Sequence, residues 1–83
     1  MRILGLVETQ TKDGYIVVRP SIRDPLEALN LYAFDENARR IGKIVDVIGR
    51  TDDPRLVIKA ESQALVSELL GKPLYYMPRK HKR

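Results

Sequence analysis

Six short runs of β-branched and aromatic residues, each closed by residues that turn the chain, set the limits on what this sequence can build. The runs lie at 3–9, 15–18, 31–34, 41–48, 56–58 and 74–77, and Val, Ile, Tyr and Phe in such short blocks favour strands. Lys12-Asp13-Gly14 separates the first two runs, and Asp-Gly between apolar runs is a strong hairpin signal. Prolines at 20 and 25 make 20–30 a loop, with one helical turn over 25–29 where Pro25 suits the first helical position. Asp35-Glu36-Asn37 reads as a polar turn. In the fourth run Ile44, Val45, Val47 and Ile48 interleave with Gly42, Lys43 and Asp46, the imperfect alternation of a strand with one face buried. That ladder is expected to break at Gly49, and the next strand to start at Leu56, after Pro54, which cannot donate to a central ladder. Asp52-Asp53 before Pro54 reads as a turn.

One helix is expected, over 62–70. Ser62 can cap it, Leu65, Val66, Leu69 and Leu70 form an apolar stripe, and Gly71 followed by Pro73 stops it. Reading along the chain shows no internal repeat. Strands this short, in 83 residues, cannot leave long open edges, so the expected fold is all-β: a small six-stranded closed or partly closed β-barrel with one short helix. Its size allows a single domain, assigned to 1–78, with 79–83 as a basic tail.

The residue inventory limits the chemistry. There is no cysteine, which excludes disulfides, thiolate zinc sites and thiol nucleophiles. His81 is the single histidine and sits in a cationic run, and the serines at 21, 62 and 67 have no histidine partner in the body, so a triad has no parts. No phosphate-loop or dinucleotide-binding pattern is present, and the carboxylates are scattered among turns rather than clustered as metal ligands. The expectation is a protein that is not an enzyme and uses no cofactor and no metal. No apolar run approaches the ~20 residues that span a bilayer, and the amino end lacks a signal-peptide layout, so the expected location is the cytoplasm.

The net charge of +4 comes from one place. Arg79, Lys80, Lys82 and Arg83 are four of the 15 Lys and Arg residues, and 1–78 holds 11 basic residues against 11 acidic ones. The tail can touch RNA phosphates loosely; a neutral body is a poor primary RNA surface. Two basic groups, Arg39-Arg40-Lys43 and Arg50-Arg55-Lys59, are read as solvated residues balanced by Asp35, Glu36, Asp46, Asp52 and Asp53.

Three segments in order, "LYAFDENARRIGKIVDVIG" from Leu31, "DPRLVIK" from Asp53 and "LLGKPLYYMPR" from Leu69, resemble the small barrel subunit of H/ACA ribonucleoproteins, the family named in eukaryotes for its glycine-arginine-rich flanks. The resemblance covers about two-thirds of the chain. It implies a six-stranded barrel that binds the catalytic domain of a dyskerin-type pseudouridine synthase and promotes substrate loading and product turnover in guide-directed rRNA modification. It further implies that the barrel is catalytically silent, does not grip the guide RNA, and is a monomer on its own. The sequence departs from the family at Arg50, where proline is common, and at Arg55, where an aromatic is common. It also lacks Gly/Arg-rich flanks and so looks like an archaeal member; a eukaryotic one would be nucleolar. The expected docking patch is Gly42, Ile48, Gly49, Pro54, Leu56 and Val57, since glycines permit close approach and proline presents a rigid apolar edge. Two other readings stay open: a barrel of the ribosome-maturation type, which shares strings such as "IGKIVDV" and binds a ribosomal protein, and a free-standing RNA-binding barrel.

Overall fold

The computed structural model describes residues 1–62 and 66–78. Six strands, β1 (Arg2–Gln10), β2 (Tyr15–Pro20), β3 (Tyr32–Phe34), β4 (Arg40–Arg50), β5 (Asp53–Ala60) and β6 (Pro73–Tyr76), close into an antiparallel barrel in the order β1-β2-β5-β4-β3-β6. A 3-10 turn, Pro25–Ala28, joins β2 to β3 and is capped by the Asp24 carboxylate, which accepts from the Leu26 N–H at 3.2 Å. A short helix, α1 (Val66–Leu69), precedes β6. The helix expected from Ser62 is thus seen only in its last turn; 63–65 lie outside the described residues, as does the tail 79–83. Every expected strand is present, and four, β1, β2, β4 and β5, are longer than expected. The β4–β5 ladder continues through Ile48 opposite Arg55 and Gly49 opposite Pro54 to Arg50 opposite Asp53, so Gly49 does not end β4 and Pro54 lies inside β5. Proline is accommodated because β2 pairs with β5 only over Leu56–Lys59, leaving this end of the hairpin at an edge.

The absence of an internal repeat, expected from the sequence, is corrected by the topology. β1, β2, the 3-10 turn and β3 form one half; β4, β5, α1 and β6 form the other, and a two-fold relation exchanges them. In the β1–β2 ladder Gly5, Leu6 and Val7 oppose Pro20, Arg19 and Val18, a bulge at Glu8 follows, and Thr9 then opposes Val17. In the β4–β5 ladder Gly42, Lys43 and Ile44 oppose Ala60, Lys59 and Ile58, a bulge at Val45 follows, and Asp46 then opposes Val57. The loops repeat as well. The Val7 N–H donates to the Lys72 carbonyl at 3.0 Å and Val7 O accepts from Gly71, while the Ile44 N–H donates to the Leu31 carbonyl at 2.8 Å and Ile44 O accepts from Asn30. Asn30 and Gly71 both take positive φ, 72° and 78°.

The core obeys the same symmetry. The buried side chains fall into equivalent pairs: Leu4 and Ile41, Val7 and Ile44, Ile16 and Leu56, Val18 and Ile58, Ala28 and Leu69, Ala33 and Leu74, and finally Asp35 and Tyr76. Few equivalent positions carry the same residue, Gly5 with Gly42 and Val17 with Val57 being two, so the repeat is one of pattern and not of identity. Each half lends its third strand to the other: β3 pairs with β4 and β6, and β6 pairs with β1 and β3. Neither half closes a barrel alone.

Gly5 and Gly42 follow bulges at Leu4 and Ile41, where β1 and β4 pass from one neighbour to the other. A Cβ on Gly5 would strike the Arg19 carbonyl, and one on Gly42 the Lys59 carbonyl, backbone atoms that cannot swing aside. Gly42→Ala is expected to lower unfolding stability by roughly 1–3 kcal/mol, the range of an overpacked core, whereas Gly71→Asn, which copies its equivalent Asn30, is expected to cost far less. Urea titration of the two variants measures both.

Candidate functional site

The outer face of the β4–β5 hairpin is built by the Val45 bulge. With one extra residue in β4, Val47 and Leu56 point inward as a pair, while Asp46, Ile48 and Arg50 point outward with Val57, Arg55 and Asp53 opposite them. Val45 and Ile48 are exposed apolar side chains, at 37% and 44%, and Val57 is half-buried on the same face. Gly49, at φ 92°, takes the left-handed conformation next to the hairpin turn, a region that glycine enters without strain.

Of the expected patch, Ile48 and Val57 come together here, while Gly49 and Pro54 form the rung between Ile48–Arg55 and Arg50–Asp53 and so lie on the other side of the hairpin. Two more residues drop out. Leu56 has no exposed surface and belongs to the core, and Gly42 is buried between β3 and β5 with Ala33 and Ala60 opposite it. Gly42 was chosen because glycine permits close approach, but the backbone that approaches it is Lys59 of its own barrel, and Leu56 pairs with Val47 on the inward side of the hairpin. A second exposed apolar strip lies outside that patch on the β1–β6 ladder, where Ile3 (44% exposed) opposes Tyr75 and Leu6 (47%) opposes Pro73. The Leu4 bulge hides it, since it places three apolar residues in a row on alternating sides of a kink.

The paired carboxylates at the turn are held by arginines. Asp52 meets Arg50 at 3.6 Å, both well exposed. Asp53 takes the Arg55 Nη1 at 2.6 Å, and the same guanidinium spans to Glu8, the β1 bulge residue, at 2.8 Å from Nε and 3.3 Å from Nη2. Arg55 Nη1 also donates to the Pro54 carbonyl at 3.0 Å. The Arg55 hydrogen bonds hold the Glu8 and Asp53 carboxyls below the usual carboxylate range. A general acid needs the opposite shift, so these groups clamp the hairpin to β1.

Asp35 plays a similar role at the β3–β4 turn. Burial pushes its carboxyl up, but the Arg39 N–H, the Arg39 guanidinium and the Asn37 N–H together hold it below the usual range. The sequence reading made it a solvated turn residue; it is 5% exposed. Arg40 pairs with Glu61 at 2.8 Å and lies over the Tyr32 ring, 4.7 Å from its centre. Arg39, Arg50 and Arg55 meet expected acids, Asp35, Asp52 and Asp53, whereas Arg40 pairs with Glu61 and Arg55 also with Glu8, which the sequence reading did not name. Lys43 and Lys59 have no carboxylate partner among the described residues. Also among the described residues, no group of three or more His, Asp or Glu side chains is placed to hold a metal, and no helix is long and apolar enough to cross a membrane.

Lowered carboxyl values mean that the Arg55 clamp is fully present above the ordinary carboxylate range and is lost as pH falls through the lowered folded-state values. In Arg55→Gln the Asp53 and Glu8 carboxyls are expected to titrate at higher pH than in the parent, toward their ordinary values, as read by carboxyl NMR titration. Leu56→Ala is expected to cost about 2–5 kcal/mol of stability, and Ile48→Ala no more than about 0.5 kcal/mol, by urea denaturation.

No protein-family model matches this sequence, and no curated protein matches it either. Among solved structures, the Gar1 domain of NAf1 superimposes with a TM-score of 0.67 at 17% identity, over 92% of this chain and 85% of that one. At that identity the likeness is one of fold, and the fold of this chain is a Gar1-like barrel.

Proposed function

We propose that the protein is a non-catalytic accessory subunit of a box H/ACA guide-RNA pseudouridylation complex. It docks on the catalytic domain of a dyskerin-type pseudouridine synthase through the outer face of the β4–β5 hairpin, and it promotes substrate loading and product turnover in rRNA modification. The observation that carries this reading is the match of almost the whole barrel to a Gar1 domain, joined to the sequence resemblance over 31–79. The hairpin supplies a suitable surface: Val45, Ile48 and Val57 form an apolar face with the Arg55 clamp holding its shape. An apolar centre rimmed by charges is the usual anatomy of a protein-binding patch. Such a subunit works in the cytoplasm if its source is archaeal.

Calorimetric titration into the synthase tests the proposal. Tight binding is expected for the parent, and Ile48→Asp should weaken it at least a hundredfold with an unchanged circular dichroism spectrum, since a charge would be buried unpaired at the interface. Leu6→Asp, on the β1–β6 strip, should leave binding unchanged. Loss with Leu6→Asp alone would move the docking face to that strip, and no binding by the parent would overturn the assignment.

A further inference from the structure

One rung of the barrel carries a charge arrangement that the fold does not need. Tyr32 on β3 opposes Lys43 on β4, Lys43 opposes Lys59 on β5, and Lys59 opposes Tyr15 on β2. Residues directly opposite one another share a face with Cβ atoms about 4.5–5.5 Å apart, so the four side chains form an outward row about 14 Å across three strand spacings. Like charges opposite one another destabilise a ladder, and neither lysine has an ion pair among the described residues. Of the acids near them in sequence, Asp46 turns its carboxylate back to accept the Val47 N–H at 2.8 Å, and Glu61 pairs with Arg40 at 2.8 Å.

The two-fold relation provides an internal control. The equivalent rung in the other half is Pro73, Leu6, Arg19 and Arg55, with Leu6 where Lys43 stands. An apolar residue therefore serves the barrel equally well at that position. The cation at the Tyr15-equivalent position, Arg55, is neutralised by Glu8 and Asp53. Only the rung of Tyr32, Lys43, Lys59 and Tyr15 combines unneutralised adjacent cations with a ring at each end. Tyr32 is 41% exposed, and the Arg40 guanidinium over one face of its ring is neutralised by Glu61, leaving the two lysines as the cations of the rung.

We propose that this rung is a binding site for single-stranded RNA, with Lys43 and Lys59 on successive phosphates and the flanking tyrosines stacking bases. Cations matched to a phosphate backbone and rings matched to base faces are the two parts such a surface requires. An acidic protein surface would use the lysines and have no use for the rings. The assignment reverses the expectation, drawn from net charge, that the neutral body avoids RNA: the body is neutral in sum but not at this rung. Because Lys43 and Ile48 both face outward on β4, RNA on the rung would lie alongside a partner docked on the hairpin.

Fluorescence anisotropy with a labelled oligouridylate and the isolated full-length chain tests the site, so the synthase plays no part in the outcome. With Arg79, Lys80, Lys82 and Arg83 changed to Gln, binding is expected to persist. On that background Lys43→Leu with Lys59→Gln should weaken binding at least tenfold and flatten the dependence of log affinity on log salt by about 1.4, the slope carried by two phosphate contacts on a single strand. Tyr15→Leu with Tyr32→Leu should weaken binding without changing that slope. Lys43→Leu should also raise the melting temperature, because it relieves the cross-strand repulsion; if it disturbs the fold by circular dichroism, Lys43→Gln takes its place. Ile48→Asp should not affect RNA binding. Loss of all binding on neutralising the tail, or indifference to the lysine pair, would overturn the site. Equal binding of polyglutamate, with no effect of the tyrosine changes, would overturn RNA as its ligand.

Discussion

The closure of so small a barrel depends on two places where the backbone of one strand lies directly against the carbonyls of the next. Gly5 against Arg19 and Gly42 against Lys59 leave no room for a side chain, and each glycine follows a bulge, at Leu4 and Ile41, at the point where a long strand changes partners. The extra residue bends the strand and increases its twist, and the missing Cβ lets the neighbouring strand approach as the sheet curls. Further along, the bulges at Glu8 and Val45 reset the alternation so that Val7 and Ile44 point in while Leu6 and Ile48 point out. The same four bulges decide the core and the exposed faces together.

These bulges also mark the limit of what was legible in the sequence. Strand existence was readable at all six positions because β-branched blocks and turn residues are local signals, and the Asp13-Gly14 hairpin and the Pro25 turn follow from single-residue chemistry. Side-chain direction was not readable past the Leu4 bulge, which is why Ile3 and Leu6 were not assigned to the surface, and close approach at Gly42 was readable without its partner, which is Lys59 within the barrel. Asp35 was misjudged for another reason. Its carboxylate is satisfied by the Arg39 and Asn37 backbone amides and the Arg39 guanidinium, and a residue that brings its partners from within its own turn can be buried at little cost. The two-fold repeat escaped because equivalent core positions exchange Leu for Ile, Ala for Leu and Asp for Tyr, keeping direction while losing size and identity.

Electrostatics separates the arginines from the lysines in a way that counting charges cannot. The arginines at 39, 40, 50 and 55 are all fixed by carboxylates, two of them across strands, and planar guanidinium groups suit such bidentate clamps. Their role is to hold turns, above all the hairpin that Arg55 ties to Glu8. Lys43 and Lys59 stay hydrated and unpaired among the described residues, and they face each other. The zero sum over 1–78 does not distinguish the two arrangements, yet one is spent within the fold and the other remains available to an anion.

The internal two-fold turns this difference into an argument about function. Where packing alone governs a position, the two halves agree: all the buried positions match in direction, and the loop hydrogen bonds match bond for bond. Where they disagree, packing is not the reason. The largest disagreements both lie in the second half. The β4–β5 hairpin runs past the end of β2, carrying exposed Ile48 below a charged tip, while β1 and β2 close at Thr11–Gly14, and the Lys43 rung has no cationic counterpart at Leu6. A barrel that needs neither feature to fold carries both on one side, and that side is where its partners should be sought.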